Sequence, residues 1–118
     1  MNILPLILAP VVLAGQTAPA TEPVLTLEQN TALRCAVAFA LTAEAQARGD
    51  AAAAALPPMA ERGREYFVRV SAKLMDDLGL TREQVSAAAH TRARALVASG
   101  DAPQVARACL PLVDAAGL

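Results

Sequence analysis

From Thr26 onward the apolar positions of this chain recur at intervals of three and four, the spacing that gathers side chains on one face of an α-helix. Thr26-Leu27-Glu28-Gln29 reads as a capping box, in which the Thr26 and Gln29 side chains each satisfy a free backbone donor of the other. A first helix follows, with Leu33, Val37, Ala40, Leu41 and Ala45 on its buried face, Cys35 and Phe39 on an adjoining one, and Gly49 as its stop. Asp50 is placed to cap a short turn from Ala51 to Leu56, and Pro57-Pro58 forces a corner. The second helix carries Phe67, Val70, Leu74 and Leu78 inward, has a Glu65–Arg69 pair on its flank, and ends in a glycine cap at Gly79 with Leu80 packing behind it. Thr81-Arg82-Glu83-Gln84 is another capping box and opens a third helix, with Val85, Ala88, Ala89, Ala93 and Leu96 facing the core and Gly100 closing it. Asp101 is expected to cap a last helix with Val105, Cys109, Leu112 and Ala116 on one face, which Pro111 should bend or split. The pattern predicts an all-α fold, a bundle of about four helices forming one domain over 21–118.

Ahead of that domain the pattern changes. Ile3 to Ala14 is apolar and uncharged, about as long as the core of a secretory signal and too short to span a bilayer. Ala18-Pro19-Ala20 suits signal peptidase better than Val12-Leu13-Ala14, so residues 1–20 read as a signal peptide cleaved before Thr21. The leading Met1-Asn2 carries no Lys or Arg, which departs from the usual signal. Leu13-Ala14-Gly15-Gln16 has the outline of a lipoprotein box, but Gln16 stands where the lipidated cysteine belongs, so nothing there can be acylated. The expected location is the periplasm or the outside of the cell, with no membrane span left after cleavage.

Composition sharpens the fold and narrows the function. Aromatics are only 3% of residues and alanine dominates the apolar fraction, which favours closely packed helices over strands. Formal net charge is -1 with both signs mixed along the chain, so no electrostatic footprint points to nucleic acid. Cys35 and Cys109 are the only cysteines, allowing one intramolecular pairing, and an exported chain lies where such a bond persists. That bond would join the first helix to the last.

Candidate chemistry is sparse. One histidine and two bonded cysteines cannot supply the ligands of a closed zinc site, so no metal and no cofactor are expected. His90 lies one turn after Ser86, the separation at which an imidazole could activate a hydroxyl, but no nucleophile elbow surrounds Ser86. Arg82 and Arg94 at the same spacing make this row read as a polar stripe beside the apolar face. Leu80 to Val85 followed by alanines and Thr91-Arg92 has the outline of a helix-turn-helix, with His90 where the turn needs glycine. Asp76-Asp77 reads as a solvated pair at a helix end. Gly63 inside the second helix suggests a close backbone approach, and Arg62, Arg64, Tyr66 and Arg69 around it form a candidate partner-contact patch.

The signal segment, Arg34-Cys35, the run Gly63-Arg64-Glu65-Tyr66-Phe67-Val68-Arg69 and the late Cys109 together resemble small exported two-cysteine helical proteins of alphaproteobacteria. The resemblance implies an envelope location and brings no activity with it. Periplasmic acid-stress chaperones are similar in plan alone: small, exported, helical and bridged by two cysteines. The leading expectation is a non-enzymatic exported protein that binds another protein or an envelope component, an acid-stress chaperone being its specific form. The alternatives are a small enzyme using His90 and a helix-turn-helix module that binds DNA.

Overall fold

A computed structural model describes residues 22–118, and within them every regular element is an α-helix. Residues 1–20, read from the sequence as a signal peptide, lie outside the described residues. After an irregular lead-in, α1 runs Leu27–Ala47, α2 Ala51–Ala54, α3 Ala60–Leu78, α4 Arg82–Ser99 and α5 Ala102–Ala115. Both predicted capping boxes form: the Gln29 amide donates to Thr26 Oγ1 at 3.1 Å while the Thr26 amide donates to Gln29 Oε1 at 3.0 Å. Thr81 and Gln84 repeat the exchange at 2.8 and 3.2 Å. Asp50 accepts from the Ala52 and Ala53 amides, so α2 begins where expected but lasts a single turn.

The bundle is organised around α1, which packs against each of the other four helices. Its sequence hints at one buried face, yet Leu33, Cys35, Ala36, Val37, Ala38, Phe39, Thr42 and Ala45 are all buried, so burial runs nearly all the way round. A helix so enclosed needs few bulky residues, and its alanines let the neighbouring backbones come near. The closest approach is at Gly63 of α3, where a Cβ would stand 3.0 Å from Phe39 Cβ. Phe39 in turn meets the Tyr66 ring edge-to-face, centroids 5.3 Å apart.

Two faces differ from their predicted registers. In α3 the buried row is Gly63, Tyr66 and Leu74, while Leu78 is exposed and Phe67 only half-buried. In α5 the buried row is Ala106, Cys109 and Val113, with Leu112 exposed. The cause is the same in both: the fixed contacts, Gly63 on Phe39 and Cys109 on Cys35, rotate each helix slightly away from its bulkiest stripe.

Helix ends also hold corrections. α5 is neither split nor ended by Pro111 and continues to Ala115. Pro111 and Arg107 are both exposed, and the missing Pro111 amide costs α5 the bond to the Arg107 carbonyl without ending the helix. Asp101 precedes α5 but its side chain caps nothing, the residue being held in helical geometry while its amide donates to Ser99 Oγ. Pro103 near the helix start supplies the remaining stop on that side, since it has no amide to satisfy. Gly79 and Gly100 close α3 and α4 in the left-handed conformation, as their positions predicted.

The Cys35–Cys109 disulfide spans α1 to α5 across 74 positions of sequence, with its Cα atoms 5.7 Å apart. Among the described residues no helix is long and apolar enough to cross a membrane.

Candidate functional site

α3 and α4 both pack on α1 but meet each other only sparsely, so the two helices stand as walls over an α1 floor. Between them lies an open groove of about 710 Å³. Val37, Ala40 and Leu41 form its floor, Phe67 and Met75 project from α3, and Val85 and Ala89 project from α4. Phe67, Leu41 and Met75 are only partly covered, and Val68 on the α3 lip is 53% exposed. An apolar concavity of this size with a few polar groups at its edge is the ordinary form of a binding site. At a rise of about 1.5 Å per residue, the α4 wall from Arg82 to Ala93 is roughly 16 Å long.

The polar edge is built by helical spacing. Arg82, Ser86 and His90 lie one turn apart along the α4 lip, Arg94 continues the row, and all four are exposed. Glu44 reaches the groove from α1 and Ser71 from α3, where the buried Ser71 hydroxyl has no hydrogen-bond partner among the described residues. His90 and Ser86 therefore share a face as their spacing predicts, yet no hydrogen bond joins them and none orients the imidazole among the described residues. Nothing there assembles a nucleophile, its base and an orienting acid.

The four residues of the candidate patch on α3 lie in different surroundings. Tyr66 is 7% exposed, its ring inside the core on Phe39, and burial pushes its phenol above the usual range. Arg62 pairs with Asp114 of α5, and Arg69 pairs with Glu65 at 3.2 Å and donates to the Ala116 carbonyl at 3.0 Å. Those two arginines fasten α3 to the end of α5. Arg64 remains exposed.

Other motifs find structural employment. Arg92, a base-reading candidate in the helix-turn-helix outline, is drawn down to Asn30 Oδ1 at 2.7 Å and Glu22 Oε1 at 2.8 Å, locking α4 and the lead-in to α1. Arg82–Ser99 is one uninterrupted helix, so the turn which that outline requires at His90 does not form. Lys73 Nζ donates to Asp77 Oδ2 at 2.9 Å, and that hydrogen bond together with the Asp77 negative charge raises the Lys73 pKa. Among the described residues no three His, Cys, Asp or Glu side chains converge as a metal site would need.

A smaller concavity opens beside the disulfide, lined by Thr31, Arg34, Gln104 and Ala108. Cys35 is 2% and Cys109 7% exposed at its base, so the bridge is shielded. The groove itself escaped the sequence reading because it depends on how far two helices diverge, which no residue encodes alone. Its one signal was the half-buried character of Phe67 and Leu41, larger apolar residues than a closed alanine-rich seam requires. No family model matches the chain, and neither a curated protein nor a solved structure is similar to it.

Proposed function

We propose that this is an exported, non-enzymatic binding protein that takes a partner protein into the groove between α3 and α4. The observation that carries the reading is the groove itself, an apolar concavity in which Leu41, Phe67 and Met75 stay only partly covered. Export is supported by the signal-like pattern of residues 1–20 and by a disulfide of the kind that persists in oxidising compartments. The resemblance to small two-cysteine envelope proteins of alphaproteobacteria agrees with that location. No hydrogen bond joins His90 to Ser86 or to an acid among the described residues, which favours binding over catalysis.

Location is tested by cell fractionation with sequencing of the mature N-terminus. The expected product starts at or near Thr21 in the periplasmic fraction, and an intact Met1 in the cytosol refutes export. Binding is tested by NMR titration with an uncharged amphipathic helical peptide bearing leucines on one face. Shifts should concentrate on Leu41, Phe67, Met75 and Ala89, and Ala72→Trp, which fills the groove from an exposed position, should remove them while leaving the helical spectrum intact. No shift at millimolar peptide refutes groove binding.

A further inference from the structure

Two methionines lie among the described residues, and the fold treats them oppositely. Met59, just after Pro57-Pro58, is 0% exposed. Met75 lines the open groove and is only partly covered. Few other side chains of this chain can compete with it for a mild oxidant. Both cysteines are joined in the bridge, so no free thiol remains. Tryptophan is absent, and the single tyrosine, Tyr66, lies in the core. The Met75 thioether is therefore the most readily oxidised group that a small solute can reach among the described residues.

A second feature of the groove points the same way. Ser71 stands four residues before Met75 on α3, and both line the groove. Long side chains of a helix fold back over the preceding turn, which makes the two side chains neighbours. The Ser71 hydroxyl is buried and bonds to nothing among the described residues, an arrangement that costs stability. A thioether is too weak an acceptor to relieve it, whereas the oxygen of a sulfoxide is a strong one.

We propose that Met75 is a site of reversible oxidation by peroxides and that the Ser71 hydroxyl holds the resulting sulfoxide. With hydrogen peroxide, the sulfur lone pair attacks one oxygen, an S–O bond forms as the O–O bond breaks, and the other oxygen leaves with both protons as water. The sulfur gives up the electron pair that the peroxide gains. Ser71 donates to the new oxygen, and a polar group replaces a flexible apolar one within the groove. An apolar occupant is disfavoured by that change; this consequence rests on the groove-binding reading, while the oxidation itself does not.

The mature chain is treated with hydrogen peroxide and digested, and the added oxygen is located by tandem mass spectrometry over time. Met75 should be oxidised while Met59 stays intact until the chain is unfolded in urea, and methionine sulfoxide reductases should reverse the change. Equal rates at Met75 and Met59 in the folded protein overturn the proposal. Urea melts of Ser71→Ala read the second half. The substitution should stabilise the unoxidised protein, which loses an unpartnered hydroxyl, and destabilise the oxidised one, which loses a partner. A shift of the same sign in both overturns the Ser71 contact. Oxidation should weaken binding of the leucine-faced peptide about tenfold in wild type, and leave it unchanged in Met75→Leu. Equal binding by oxidised and unoxidised wild type overturns the effect on an occupant. Absence of binding by the unoxidised protein refutes the groove-binding reading instead, and oxidation at Met75 is then decided by mass alone.

Discussion

Gly63 and Tyr66 show how single side chains set the geometry of α1 against α3. Alanine at position 63 would gain about 1 kcal/mol of helix propensity. Its Cβ would meet Phe39 Cβ at 3.0 Å with the Phe39 backbone at 3.5 Å just behind, and overpacking of that kind costs about 1–3 kcal/mol. Gly63→Ala is therefore expected to lose about 1 kcal/mol net in urea melts, and a gain would mean that α1 yields at Phe39. Tyr66 offers a pH test. Its phenol is raised above the ordinary 10.0 by burial, so the folded state holds a proton that the unfolded state releases first. The contribution is fully present below about pH 10 and fades as pH rises through the folded value. Chemical denaturation of wild type and Tyr66→Phe across that range should show the wild type losing stability relative to the variant; parallel curves would refute a buried phenol.

At the scale of elements, the joint between α1 and α3 depends on one polar side chain. Gln46 Nε2 donates toward the carbonyls of Ala53, Leu56 and Pro57 at 3.1, 3.3 and 2.9 Å, and Gln46 Oε1 accepts from the Met59 amide at 3.0 Å. It thereby satisfies the corner that Pro57-Pro58 creates and seats Met59, which is completely buried. Gln46→Ala should cost about 2 kcal/mol, because partly buried carbonyls and an amide lose their partner together. Hydrogen exchange at the Met59 amide should quicken more than global unfolding accounts for, and unchanged protection would remove Gln46 from this role. Nothing in the sequence marks Gln46, since its partners lie 7 to 13 positions away and come together only when the corner folds. The helices themselves were legible because local chemistry defines them: Thr26, Thr81, Gly79 and Gly100 act on their own first or last turns. The rotation of α3 and α5 was not, since it is decided by Phe39 and Cys35 on another helix. The row Arg82, Ser86, His90 and Arg94 was readable as a polar stripe, but the cavity it borders was not.

Over the whole molecule the disulfide is the principal long-range constraint. In the chain-entropy view, closing a loop of this size restricts the unfolded state by roughly 4 kcal/mol, a large part of a small domain's stability. The Cys35→Ser, Cys109→Ser double variant is expected to lose about 2–5 kcal/mol in thermal and urea melts. Wild-type stability in that variant would leave helix packing as the only support of the bundle, and two free thiols in denatured, unreduced protein from the periplasm would deny the bond altogether. The central position of α1 has a consequence for how the molecule assembles. Along the chain α1, with Cys35, precedes α5, with Cys109, so the hub emerges before the helix that completes its cover. Until then α1 has no complete cover, and the Cys35 thiol has no intramolecular partner. A chain in which α5 has yet to dock presents its most enclosed helix and a reactive sulfur together, so the docking of α5 is the step at which this protein ceases to be vulnerable to aggregation and wrong pairing.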